Sequence, residues 1–139
     1  MKYYIATSTA RASFHNSVRD ELKKFGHEIT YDWTSHGSVR DTSLARLRQV
    51  AHLELQAILE ADFVLVLLPG GKGTHTELGF SLGCKKPVFL HSEDPTLFEL
   101  GPEACAFYHH ADATRLVCPI GKVAEWIQSR IGSALTNSV

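Results

Sequence analysis

A chain of 139 residues, 44% hydrophobic and 21% charged, has the make-up of one globular domain, long enough to bury a core without support from metals or disulfides. A net charge of -1 supplies no broad basic field, which excludes nucleic acid and anionic membrane as partners held by charge and favours a small molecule. The three cysteines, Cys84, Cys105 and Cys118, are widely spaced and read as reduced thiols, with none of the close pairs of a structural zinc site.

Strand-like and helix-like segments alternate along the chain. Lys2 to Thr7 reads as a first strand, and Ser13 to Phe25 as a helix with Phe14, Val18, Leu22 and Phe25 on one face and Gly26 closing it. Glu28 to Thr34 alternates Ile29, Tyr31 and Trp33 on one side, as a strand does. After a polar loop from Ser35 to Arg40, Asp41 is placed to cap a long helix running to about Glu60, with Leu44, Leu47, Ala51, Leu55 and Ile58 as its buried stripe. Asp62 to Leu68 is a continuous apolar run, too short to span a membrane and too uniform for a half-exposed strand, so it is predicted to be a central parallel strand. A glycine-rich turn leads into a helix from about Thr76 to Cys84, and Pro87 to His91 forms a fourth strand.

Ser92 to Gly101 is acidic and aperiodic, a loop with room for one helical turn. Segments 106–109 and 114–117 compete for a fifth strand, and Ile120 to Leu135 closes the chain as a helix with Val123, Ile127 and Ile131 at a spacing of four. Strands alternating with helices imply right-handed crossovers, and hence a five-stranded parallel, doubly wound three-layer α/β sandwich, flavodoxin-like or Rossmann-like, in a single domain over 1–139. No repeat or linker breaks the chain. Met1-Lys2 leads straight into strand-like sequence and no apolar run reaches about 18 residues, so a cytoplasmic protein is expected. Only His109 and His110 of eight histidines are adjacent, and neighbours on an extended chain point apart, so no metal site is expected.

The chemistry concentrates in Leu68-Pro69-Gly70-Gly71-Lys72-Gly73-Thr74-His75-Thr76-Glu77-Leu78-Gly79, which joins the central strand to a helix at the end of the sheet where such folds bind ligands. Gly70, Gly71 and Gly73 allow close approach of the backbone, and with Thr74 and the helix start they suit an anion or a sugar. The order of residues is neither that of a dinucleotide fingerprint nor that of a P-loop. Glu77, at the third or fourth helical residue, has two readings: a carboxylate kept ionised and nucleophilic by the helix dipole, or the acid of a Thr74-x-x-Glu77 capping box. Glu54 falls at the border of the long helix's apolar stripe, either reaching the same site or pairing with a neighbour such as Arg48. Two carboxylates flanking a sugar are what displacement at an anomeric carbon requires. The turn after the first strand, with Ser8, Thr9 and Arg11, suits a phosphate or sugar, although Ser13 as a helix cap explains part of it. Trp33 reads equally as a base-stacking platform and as a core residue.

These residues resemble the nucleoside 2-deoxyribosyltransferase superfamily, including its deoxynucleoside 5′-monophosphate N-glycosidases and CMP hydrolases. The family's Gly-x-x-x-Glu-Leu-Gly segment is matched by Gly73 to Gly79, its Lys-Pro turn by Lys86-Pro87, and its acidic residue ahead of the central strand by Glu54 in Glu54-Leu55-Gln56-Ala57-Ile58-Leu59-Glu60-Ala61, where aspartate is usual. Tyr4 in Tyr4-Ile5-Ala6-Thr7 is similar to the tyrosine that bonds the nucleophile. The resemblance implies cleavage or transfer at the N-glycosidic bond of a nucleoside or nucleoside 5′-monophosphate, with Glu77 as nucleophile, Glu54 holding the sugar or moving protons, and Tyr4 orienting Glu77. It implies a homodimer or larger homo-oligomer, and no cofactor is expected. The transferases' extra aspartate six residues before the nucleophile is Gly71 here, which points toward hydrolase-like members. The Pro-Gly-Gly-x-Gly-Thr-x-x-Glu string also resembles the cytokinin-activating phosphoribohydrolases. A non-catalytic nucleotide-binding module on the same fold is the competing expectation, and a flavin carrier a third.

Overall fold

In a computed structural model, backbone is described for residues 1–137 and side chains through residue 132. Five strands form one all-parallel sheet, β1 (Lys2–Ala6), β2 (Glu28–Ile29), β3 (Phe63–Leu67), β4 (Val88–Ser92) and β5 (Ala113–Val117), in the order β2-β1-β3-β4-β5. Four α-helices cover it: α1 (Ala12–Lys24), α2 (Leu44–Glu60), α3 (Lys72–Gly83) and α4 (Val123–Asn137). The expected doubly wound three-layer sandwich is what the chain adopts.

The sheet has two buried faces because its central strand is apolar on both. Tyr4, Ala6, Val64 and Val66 point toward α2 and α3, where Ala57, Ile58, Leu78 and Leu82 meet them. Tyr3, Ile5, Phe63, Leu65 and Leu67 point the other way, onto Val18 and Leu22 of α1 and Val123, Ile127 and Ile131 of α4. β1 and β3 run in register, Tyr4 beside Val64 and Ala6 beside Val66. Strand order reverses between them, and at that reversal the loops leaving two neighbouring strands turn to opposite faces and open a crevice. Thr7 fastens the crevice floor by donating its hydroxyl to the Leu67 carbonyl at 2.8 Å.

Several sequence expectations are corrected. β2 stops after two residues rather than running to Thr34, because the Asp32 carboxylate accepts from the Thr34 N–H at 3.0 Å and turns the chain into a short 3-10 helix, Trp33–Ser35. The cap of α2 is Ser43, whose hydroxyl accepts from the Arg46 N–H at 3.0 Å, not Asp41. The stripe of α2 that packs on the sheet is Val50, Ala57 and Ile58, while Leu44, Leu47, Leu55 and Leu59 stay exposed. That helix carries two apolar stripes, and periodicity cannot say which one meets the core. The fifth strand is 113–117, and Ala106–His109 forms a 3-10 turn. Another such turn, Pro95–Phe98, occupies the acidic loop, and another, Ile120–Lys122, precedes α4.

Candidate active site

The crevice between β1 and β3 opens into a cavity of about 350 Å3, a size that holds a small ligand. Its walls come from the turn after β1 (Thr7, Ser8, Thr9), the start of α3 (Gly71, Lys72, Gly73, Thr74 and Glu77), the loop after Trp33, and the inner side of α2, including Glu54. Residues far apart in sequence thus converge where the topology places a ligand.

α3 begins four residues earlier than the sequence suggests. Gly71 is its N-cap and offers no side chain to the helix, and the first turn closes through His75 N–H to the Gly71 carbonyl at 3.1 Å. The N–H groups of Lys72, Gly73 and Thr74 are left without helical partners, and all three residues line the cavity. Thr74 sits inside the helix, so the Thr74-x-x-Glu77 capping box does not form. Gly70 is required for another reason, since a Cβ there would lie 2.4–2.6 Å from the Thr74 side chain. A Cβ on Gly71 or Gly73 would meet nothing.

Glu77 is the sixth residue of α3, past the turn in which the helix dipole acts. The residue as a whole keeps some exposure, but its Oε2 is fully enclosed. Burial pushes its carboxyl up to about 8, and the facing Glu54 charge adds to the effect. The helix dipole therefore does not hold Glu77 ionised: desolvation outweighs it and favours the protonated carboxyl. Burial raises Glu54 as well, an effect offset by the nearby His36 and by the Glu77 carboxyl.

Tyr4 lies under this pair, wholly buried on β1. Its hydroxyl favours the ionised form of Glu77, and burial beside Glu77 and Glu54 pushes its own pKa well above the ordinary value. Neither Tyr4 Oη nor Glu77 Oε2 makes a hydrogen bond of good geometry. Both are buried polar atoms left unsatisfied, and Glu77 is one of the residues that line the cavity.

The remaining sequence candidates divide between two places. Ser8, Thr9, Gly71, Gly73 and Thr74 line the main cavity. Arg11 and Gly70 instead face a shallower depression beside it, bounded by Ser8, Ala10, Pro69 and Gly71. Arg11 stacks on the Phe14 ring at 4.3 Å with its Nε buried and unpartnered. Trp33 is a core residue, its indole N–H bonded to the Ile5 carbonyl at 3.0 Å and its ring edge against His15, and only a margin of it reaches the cavity. Sequence reasoning missed His36, Arg40, Leu47, Val50, Ala51 and Lys72 as wall residues. A signal existed for two of them, because Leu47 and Ala51 belong to the α2 stripe that does not pack on the sheet. Among the described residues no group of histidine, cysteine or acidic side chains is arranged to hold a metal ion, and no helix is long and apolar enough to cross a membrane.

The sequence profile of the family described as nucleoside 2-deoxyribosyltransferase matches residues 4–119, from Tyr4 through the whole cavity. The chain belongs to the nucleoside 2-deoxyribosyltransferase family. Members of this family are enzymes that break or exchange N-glycosidic bonds of nucleosides and nucleotides. Solved structures share the fold. The CMP N-glycosidase of Clostridium botulinum superposes with a TM-score of 0.62 at 16% identity, covering 93% of this chain and 99% of that one. A conserved protein from Enterococcus faecalis V583 gives 0.62 at 18% identity, over 94% and 98%. The 2-deoxyribosyltransferase of Bacillus psychrosaccharolyticus gives 0.56 at 24% identity, over 68% and 74%. No curated protein sequence matches this chain.

Proposed function

We propose that this family member cleaves or transfers at the N-glycosidic bond of a nucleoside or nucleoside 5′-monophosphate through a glycosyl-enzyme intermediate on Glu77. The observation that carries the reading is the Glu54–Glu77 pair, two carboxyls from different helices facing one another in a single cavity above a buried tyrosine hydroxyl. A structural role would bury apolar groups there, since two enclosed acids cost stability.

Two carboxyls holding one proton between them supply both roles that the reaction needs. With the proton on Glu54, Glu77 is ionised and attacks C1′; the bond from its carboxylate oxygen to C1′ forms as the C1′–N bond breaks, and Glu54 gives its proton to the departing base. Glu54 then takes a proton from water, which attacks C1′ and releases the sugar and Glu77, or an incoming base takes the place of water. Tyr4 favours the ionised Glu77 at the moment of attack. The free N–H groups of Lys72, Gly73 and Thr74, with Ser8 and Thr9 opposite, suit the sugar and a 5′-phosphate, and Lys72 and Arg40 add positive charge to the rim of a chain whose net charge is -1. Arg11 stands next to that end, and the margin of Trp33 flanks the base. The exposed Leu44, Leu47, Leu55 and Leu59 stripe on α2 suits a second copy in a homodimer. The same features fit a protein of the cytoplasm, where nucleotides are processed.

Chromatography of the protein incubated with nucleosides and 5′-monophosphates, ribo and deoxy, with and without an acceptor base, tests the activity. Free base or exchanged nucleoside from the wild type and none from Glu77→Gln supports it. No product from any of them, together with nucleotide affinity kept in Glu77→Gln, would favour the non-catalytic module.

A further inference from the structure

We infer that Tyr108 and His75 form a clamp that positions the glycine turn for the phosphate end of the substrate, so that Tyr108 governs the preference for a 5′-monophosphate over its nucleoside without touching either. His75 lies on α3 two residues before Glu77 and is half-buried. Its Nδ1 is 2.8 Å from the Gly71 carbonyl, and its Nε2 is 2.6 Å from the Tyr108 hydroxyl. A carbonyl only accepts, so Nδ1 must carry the proton. In the neutral ring Nε2 is then bare and accepts from Tyr108 O–H. Both ring nitrogens are committed, and the two rings lie 5.7 Å apart at 31°.

The Gly71 carbonyl receives two donors, the His75 N–H at 3.1 Å and the His75 ring at 2.8 Å. Gly71 is the N-cap residue and has no side chain to accept from the N–H groups of the first turn, so those groups stay free while the clamp fixes the carbonyl end of the same residue. With that carbonyl drawn back along α3, the unpaired N–H groups of Lys72, Gly73 and Thr74 are held toward the cavity. Tyr108 can anchor the ring because it is itself fixed. It is 7% exposed, its ring meets Phe98 edge-on at 5.9 Å, and its carbonyl accepts from Arg115 of β5 at 2.8 Å. The acidic loop and the 3-10 turn at 106–109, which carry no periodicity in sequence, act here as a buttress from the far edge of the sheet.

The clamp rests on the proposed reading for its effect on substrate, but its structural half is measured apart from activity. Tyr108→Phe removes one hydroxyl and keeps the ring packing. Amide hydrogen exchange at His75 and Thr76 in this variant should quicken at least threefold while exchange in β3 is unchanged. The ratio of kcat/KM for a 5′-monophosphate to that for its nucleoside should fall at least threefold, through KM, with kcat on the nucleoside kept. Unchanged exchange at His75 and Thr76, or an unchanged ratio, overturns the inference, as does an equal fall of kcat on both substrates. A wild type that turns over neither substrate sinks the proposed activity instead and leaves exchange to decide the clamp.

Discussion

Replacing Glu77 by Gln should make the protein more stable, and increasingly so as pH rises. An ordinary glutamate gives up its proton near 4.5, whereas burial and Glu54 hold Glu77 to about 8. Between those values the native state binds a proton that the unfolded chain has released, so wild-type stability is complete below the lower value and declines as pH climbs toward the upper one. Each pH unit in that window costs about 1.4 kcal/mol, giving ~5 kcal/mol as a ceiling by pH 8. Glu54 shares the charge and the cavity mouth admits water, so a gain of ~2–3 kcal/mol for Glu77→Gln at pH 8 is expected, a rise of roughly 6–10 °C in Tm. At pH 4.5 the two proteins should differ by less than about 1 kcal/mol, because both then carry a neutral group at this position. Urea denaturation at pH 4.5, 6, 7 and 8 reads the difference directly. A gap that stays constant across that range, or a variant less stable than wild type at pH 8, would refute the argument that burial raises this carboxyl.

Further outcomes follow from the same geometry. Glu54→Gln removes the charge that raises Glu77, so the Glu77 titration followed by carboxyl 13C NMR should move down, while base release falls ~10²–10⁴-fold for loss of the proton donor. Tyr4→Phe deletes a hydroxyl that has no well-formed bond to lose, so stability should change by less than about 1 kcal/mol, whereas Glu77 should titrate still higher and turnover should drop. Gly70→Ala forces its new methyl into Thr74 and should cost about 1–3 kcal/mol by thermal denaturation, while Gly71→Ala, with open space around it, should cost well under 1 kcal/mol and weaken substrate binding. Leu55→Asp on the exposed α2 stripe should shift the protein from dimer to monomer in light scattering, and a wild type that is already monomeric would count against the second copy.

The fold was legible because the chain writes its layers plainly. Phe63 to Leu67 is apolar at every position, as only a strand covered on both faces can be, and Val123, Ile127 and Ile131 announce the face that α4 turns inward. The second strand misled because Ile29, Tyr31 and Trp33 alternate correctly, yet a single Asp32 side chain bonding to Thr34 N–H bends the chain before alternation can matter. On α2, of the residues that periodicity marks as buried, Ile58 does pack on the sheet, whereas Leu44, Leu47, Ala51 and Leu55 belong to a second apolar stripe that faces the cavity mouth and the outer surface. The acids were visible as Glu54 and Glu77, but their protonation was not. Placement of α3 decides it, since Glu77 sits beyond the helix's first turn and under cover, where desolvation sets its charge. His36, Arg40 and Lys72 reach the cavity through loop geometry and a helix start that local sequence does not encode.

The central claim is that Glu77 takes the sugar. Mixing the protein with a substrate found in the panel, quenching in acid during turnover and analysing its peptides by mass spectrometry would test it at the atom concerned. A sugar or sugar phosphate attached to the peptide bearing Glu77, absent from Glu77→Gln and longer-lived in Glu54→Gln if Glu54 activates the water, is the predicted result. Rapid base release with every such peptide unmodified under the same quench, or an adduct on another residue, would contradict the account.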